Sequence, residues 1–469
     1  MDAILNIFGF ISGLGVSVVM PIVITILGLA MGAGFGKSLR AGLTVGIGFI
    51  GLNLIIGGLL GTNLAPAVQM MIENFGIELS IIDVGWPAAS AIAMGSVVGA
   101  IIIPLGLIVN IVMLLTNTTQ TVDVDIWNYW HFAFTGALVA IVCESIPLGI
   151  IAAILNMVIV MVLGDLTAPQ VEKSLGLPGV SLPHGFTAAY APIAMAINWL
   201  IEKIPGVRDI DINVDKLQEK FGIFGEPMII GTVIGLGIGA LAYYNQENAA
   251  SMILNAAISF GAVLVLIPKM AALLMEGLIP VSDAASAFVQ KRFASRGKIY
   301  IGLDSAVGVG HPTTLTISYI LVPLLLLLAV VLPGNNVLPF VDLAVVPFMF
   351  VLITPIVNNN GFRGLIVGIV VLAVGLYVAT DLAPLITSAA ANAGFDIAAA
   401  TGDAGAMISS ICDGANPLTW VITRAMGYLG YAGLALVAVV ALGMAFYNRK
   451  RILAEAKAMH EAEAEVAEA

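Results

Sequence analysis

Apolar residues fall in long blocks separated by short polar intervals along almost the whole chain. The blocks run near 10–31, 39–61, 88–115, 132–163, 226–244, 250–274, 311–332, 338–356, 363–381 and 420–446. A helix needs about 20 mostly apolar residues to cross the hydrocarbon core, and these blocks approach or exceed that length. A shorter block, 185–201, contains Pro192 and fits either a span or a re-entrant segment. The pattern predicts an all-α polytopic membrane protein with about 11 transmembrane helices plus re-entrant segments. Glycine-rich stretches at Gly42–Gly61 and Gly231–Gly239 lie inside apolar blocks with no strand before them. That setting predicts close helix packing rather than a phosphate-binding loop.

Composition agrees with lipid as the solvent. Hydrophobic residues make up 60% of the 469 and charged residues 10%, and mean hydropathy is +1.06. Soluble domains carry about 25% charged residues. Basic residues set orientation. With eleven spans and a cytoplasmic C-terminus, 16 of the 18 Lys and Arg residues fall on the cytoplasmic side, Lys173 and Arg424 excepted. Segments 62–87, 333–337 and 382–417 lack Lys and Arg and are expected outside or folded back into the membrane. The N-terminus is then outside. No basic n-region precedes the first block, so the first helix is expected to remain uncleaved.

Residues 201–225 and 276–301 are the larger cytoplasmic loops, equally suited to docking a soluble partner and to anchoring topology. The Ala/Glu-rich tail 451–469 contributes to the net charge of −11, and no basic patch suggests nucleic acid. Cys143 and Cys412 belong to no CxxC or metal-ligand spacing. No Walker lysine, GxSxG, HExxH or paired carboxylates occur, so no catalytic residue, metal or cofactor is expected. An internal echo is present. Thr62-Asn63-Leu64-Ala65-Pro66, with Asn74, Gly76 and Glu78 beyond it, matches Thr380-Asp381-Leu382-Ala383-Pro384 with Asn392, Gly394 and Asp396. Transporters commonly carry such repeats, parallel or inverted.

Ionisable groups at membrane depth are costly and mark functional candidates. His131 and Thr135 stand one helical turn apart after Trp127-Asn128-Tyr129-Trp130, whose aromatics suit an interfacial belt or a sugar-stacking face. Leu182-Pro183-His184-Gly185 breaks a helix beside a histidine, which requires protein or a wet cavity around it. Asp304, Ser305, His311 and Thr313 share a glycine-rich stretch whose donors and acceptors match polyol hydroxyls. The alternative for Asp304 is a helix cap. Asp413-Gly414-Ala415-Asn416-Pro417, before the last block, is the fourth such place; Glu144 and Glu226 are weaker candidates, and each could equally be a satisfied structural group.

Several of these segments are familiar together. Asp83-Val84-Gly85-Trp86-Pro87, Val122-Asp123-Val124-Asp125-Ile126-Trp127-Asn128, Pro183-His184-Gly185, Phe224-Gly225-Glu226-Pro227, Gly302-Leu303-Asp304 and Gly310-His311 occur in order across roughly residues 10–450. The chain resembles the galactitol-type EIIC permeases of the bacterial phosphotransferase system, in the ascorbate–galactitol superfamily. The resemblance implies a membrane domain over 1–450 in the bacterial inner membrane, built as a homodimer with a scaffold domain and a mobile, elevator-type core. It implies a polyol substrate such as galactitol, phosphorylated at the cytoplasmic face by a phosphocysteine on a separate IIB protein. IIB is recharged through IIA, HPr and enzyme I. His131, Thr135, His184, Gly185 and Asp304 match the substrate-binding region by motif position, and His311 joins them from the residue reading. The stretch 305–314 departs from the familiar motifs, which leaves the exact polyol open. An ion-coupled secondary transporter of a polyol or sugar is the alternative.

Overall fold

Most apolar blocks become helices, but several break where a serine, asparagine or proline starts a new one. The computed structural model describes residues 16–64, 66, 67, 70, 71, 74, 79–123, 125–210, 226–293 and 298–468. The start of the first block, the 211–225 part of one expected loop, residues 294–297 of the other, and Ala65, Gly76 and Glu78 of the echo lie outside the described residues. Helices α1 (Val16–Ala30) and α2 (Phe35–Leu54), the latter continued by a π-helical segment Ile55–Leu64, come first. Then follow β1 (Ile81–Asp83), α3 (Gly85–Gly95), α4 (Val97–Leu115), β2 (Thr121–Asp123), α5 (Tyr129–Val142), α6 (Ile146–Leu175), β3 (Val180–Ser181) and α7 (Gly185–Glu202). Helices α8 (Pro227–Tyr243) and α9 (Ala249–Phe293) intervene. The chain continues with β4 (Tyr300–Gly302), α10 (Ala306–Val309), α11 (Pro312–Val331), β5 (Val337–Leu338), α12 (Val346–Ile356) and α13 (Gly361–Asn392). It ends with α14 (Ile397–Thr401), β6 (Met407–Ser409), α15 (Pro417–Leu429) and α16 (Tyr431–Glu468).

Among the described residues, six helices are long and apolar enough to cross a membrane: α4, α6, the Ala249–Ile267 part of α9, α11, α13 and the Tyr431–Ala458 part of α16. The protein is therefore a mostly helical, multi-pass membrane protein. Exposed side chains such as Ile26, Ile47, Leu54, Val233, Ile258, Leu327 and Val439 are apolar, while Asp83, Asp123, His131 and Asp165 are buried. That inversion is what a hydrocarbon solvent demands.

The single spans expected at 88–115 and 132–163 are instead helix pairs. Ser96 is extended and caps α4 by accepting from the Gly99 amide. Glu144 adopts a left-handed conformation and Ser145 caps α6 ahead of Pro147. The expected span at 338–356 is a strand end, a 3-10 turn over Val341–Val345, and then α12. Residues 276–293, read as loop, prolong α9.

Six short strands form two three-stranded parallel sheets, ordered β5-β1-β6 and β2-β4-β3. Exchanging β1 with β4, β2 with β5 and β3 with β6 converts one sheet into the other. Each sheet thus takes its centre from one half of the chain and its edges from the other half. The operation that relates the halves swaps the sheets, as in the interlocked repeats of transporters. The sequence echo does not mark this repeat, because its first arm precedes β1 and its second precedes β6, two strands that the exchange does not pair.

Helices α1, α2, α8 and α9 pack mainly on one another, and the remaining helices surround the two sheets. At one end of the molecule, Lys298 bonds Glu172 at 2.6 Å, Asn359 bonds the Ser174 carbonyl, and Arg363 bonds Glu202 and the Arg208 carbonyl. The Glu172 carboxylate holds the Lys298 ammonium above its usual value. Lys173, an exception in the sequence-based segregation of charge, sits in the last turn of α6 next to Glu172, the partner of Lys298.

Candidate substrate site

Both sheets end in turns that lead into helix N-termini, and four such turns converge. His131 lies in the first turn of α5, beyond β2, and His184 is the residue before α7, beyond β3. Asp304 follows β4 by two residues, and Asp413 follows β6 by four. Helix N-termini carry unpaired N–H groups and partial positive charge, so carboxylates and hydroxyl oxygens are favoured there.

The four side chains form a continuous buried run. Asp413 Oδ2 lies 2.5 Å from His131 Nδ1, His131 Nε2 lies 3.1 Å from His184 Nε2, and His184 Nε2 lies 3.4 Å from Asp304 Oδ2. None of the four is more than 5% exposed. Asp304 Oδ1 accepts from the Ala306 amide at 2.7 Å, and the Asp304 amide donates to Asp125 Oδ2 at 3.1 Å. The Asp304 backbone is therefore fixed while its Oδ2 remains for His184. Oδ1 thus closes a turn ahead of α10, whose N-cap residue is Ser305, and Oδ2 faces the histidine.

Thr135, one turn beyond His131, meets Thr419 Oγ1 at 2.8 Å and accepts from Asn156 Nδ2 at 2.6 Å. Gly185 touches the site through its smallness. A Cβ there would collide with the Cβ of His131, so glycine lets α7 approach α5. Its carbonyl accepts from Asn416 Nδ2 at 3.0 Å. His311 stands apart from this run, as the partly exposed residue that precedes α11.

The tryptophans of the 127–130 stretch are buried and form no interfacial belt. Trp86, Trp127 and Trp130 are at most 8% exposed and stack in series with Phe49. The Trp130 ring lies 4.0 Å from that of His131. Trp130 Nε1, His184 Nδ1 and Asn156 Oδ1 are buried without a protein hydrogen-bond partner. Buried polar atoms left open in this way match the donors and acceptors of a polyhydroxy solute.

The residue reading singles out the Asp413 turn without joining it to the substrate residues, and it passes over Asn156. Asn156 was detectable as an amide isolated within the apolar stretch 146–163. His131, Cys412 and Asp413 offer donor atoms within 4.8 Å of one another. The imidazole and carboxylate of this trio already share a direct hydrogen bond, which leaves no space for an ion between them as placed.

A buried, hydroxyl-matching cluster where helix N-termini meet inside a lipid-facing bundle defines a membrane transport protein for a small polar solute. The particular family follows from comparison. The EIIC-GAT model, the PTS system sugar-specific permease component, matches residues 10–402, and the chain belongs to that family. It is 38% identical to the PTS system galactitol-specific EIIC component of Escherichia coli (strain K12) over 442 residues, which is 94% of this chain and 95% of that protein. The same values hold for the galactitol-specific EIIC component of Escherichia coli O157:H7. A further Escherichia coli (strain K12) protein, a permease IIC component with no substrate in its name, is 38% identical over 448 residues, 96% of this chain and 100% of that protein.

Proposed function

We propose that this phosphotransferase permease subunit carries a polyol, galactitol first among candidates, and binds it at His131, His184 and Asp304. The observation that carries this reading is the buried run Asp413–His131–His184–Asp304, which alternates hydrogen-bond acceptors and donors beside open polar atoms on Trp130 and Asn156. Thr135 and Gly185 shape that run, and His311 lies near its entrance in sequence only. In this reading α1, α2, α8 and α9 form the scaffold of a homodimer, and the sheets with their helices form the core that moves. The eleven-span topology with N-terminus outside and C-terminus cytoplasmic puts Lys298 and Arg363 at the face where phospho-IIB docks, and the Lys298–Glu172 pair brings Lys173 to the same face. The segments 201–225 and 276–301 flank that face. IIA, HPr and enzyme I supply the phosphoryl group through IIB.

The test is uptake of labelled galactitol into membrane vesicles with and without phosphoenolpyruvate and the soluble phosphotransferase proteins. Galactitol phosphate that appears only with phosphoenolpyruvate supports the reading. Phosphorylation of a different polyol would move the substrate. Uptake of free polyol driven by a proton gradient would favour an ion-coupled carrier, to which an Asp–His–His–Asp run could also lend itself.

A further inference from the structure

The two histidines face each other through their Nε2 atoms, so a single proton lies between them. What decides its owner is the far side of His131, where Nδ1 meets the Asp413 carboxylate. An ionised carboxylate only accepts, so Nδ1 must carry its hydrogen there. We propose that Asp413 is a positioning residue that locks His131 as the Nδ1–H tautomer, so that His131 Nε2 accepts from His184 Nε2–H and His184 Nδ1 is left as the lone-pair acceptor for a substrate hydroxyl. This rests on the reading of His184 as a polyol ligand.

The polarity then propagates. His184 donates from Nε2 toward His131, with Asp304 Oδ2 at 3.4 Å as second acceptor. Its Nδ1, buried and without a protein partner, is left as a bare acceptor. His184 therefore offers a lone pair to a hydroxyl hydrogen, a polarity fixed through His131 before the substrate arrives. The charged and titratable groups facing His131 are Asp413 and Cys412 from the β6–α15 turn, His184 from the start of α7 and Asp304 from the β4–α10 turn.

The support of Asp413 is itself directional. Asn416 Oδ1 accepts from the Leu418 and Thr419 amides, which leaves Asn416 Nδ2 to donate to Asp413 Oδ1 and to the Gly185 carbonyl. In Asp413→Asn, the new amide must turn its oxygen to Asn416, because the opposite rotamer sets two NH2 groups face to face. Its NH2 then points at His131 Nδ1 and imposes the Nε2–H tautomer. An isosteric change thus reverses the polarity of the site.

The chain has four histidines, so 15N spectra of histidine-labelled protein are tractable, with His131→Gln assigning the signal. The expected wild-type spectrum shows His131 protonated at Nδ1 and bare at Nε2, and Asp413→Asn reverses the two. In reconstituted vesicles, Asp413→Asn raises the KM for galactitol roughly 10- to 100-fold at unchanged membrane content. It also shifts the pH profile of KM, which a purely structural role would not do. A wild-type His131 protonated at Nε2, or at both nitrogens, overturns the proposal, even where the variant does not fold. A variant with the wild-type spectrum and KM does the same. If wild-type protein ignores galactitol, the substrate reading fails, while the spectrum still decides the tautomer.

Discussion

Replacing Asp304 by asparagine separates the two tasks of that side chain. Oδ1 closes a turn onto the Ala306 amide at 2.7 Å, and an asparagine carbonyl can do the same. Oδ2 faces His184 Nε2 at 3.4 Å, and there an amide NH2 replaces an acceptor with a donor. The backbone stays tied to Asp125 through the Asp304 amide, so the fold should survive. The loss is one charge-assisted contact at a residue only 5% exposed. Hydrogen bonds to charged groups contribute about 1.5–3 kcal/mol, so Kd should rise roughly 10- to 150-fold. Calorimetric titration of galactitol into detergent-purified protein reads this directly, with thermal unfolding measured alongside. A variant that binds as tightly as wild type would remove Asp304 from the site. A variant whose unfolding midpoint collapses would make Asp304 chiefly a structural cap.

Gly185→Ala should push His131 away from Asp413, and overpacking of this kind costs about 1–3 kcal/mol; wild-type melting and uptake together would show that α7 can retreat freely. Asp165 accepts from Thr119, the Gln120 amide, Thr121 and Asn448, tying α6 to the β2 loop and α16. Asp165→Leu strands those donors and should destabilise the protein by about 3 kcal/mol or more, visible as a lower unfolding midpoint in detergent. Lys298→Gln should cost under about 1 kcal/mol, since the ammonium is half-exposed. Its folded pKa is raised, so the contribution is present below the unfolded value of about 10.4 and fades as pH climbs through the folded one. The wild-type and variant midpoints should therefore differ by a constant amount from pH 6 to 9 and converge only in strong alkali.

Hydropathy revealed the membrane class but not the hairpins, for a physical reason. The breaks at Ser96 and at Glu144-Ser145 leave the local composition apolar, and only the capping geometry ends the helices. Strands of two or three residues carry no readable alternation, so neither sheet was visible. His131, His184 and Asp304 could be found singly because each is polar where lipid makes polarity expensive. Their contacts could not, since His131 and Asp413 are 282 residues apart. Gly185 was legible as a helix break, yet its close approach to His131 required the packed pair. The tryptophans before His131 read as a belt because amphipathic rings usually seek the interface. Burial against Phe49 and one another takes them inside instead.

The paired sheets show why depth in the membrane does not by itself mark a functional acid. Asp83 is the last residue of the central strand of one sheet and Asp304 follows that of the other by two residues, and each accepts from the amide two residues on. Beyond that they part. Asp83 Oδ2 accepts from the Phe340 and Asp342 amides, and Asp342 in turn takes the Trp86 and Cys412 amides and the Ser410 hydroxyl. Those carboxylates are saturated by the chain and hold three strand ends together. At the other sheet only the edge acid, Asp125, is used this way, accepting from the Trp127 and Asp304 amides. Asp304 keeps one oxygen for a histidine. Two halves with one topology thus differ in unused hydrogen-bonding capacity, and the proposed polyol site is the half where that capacity remains.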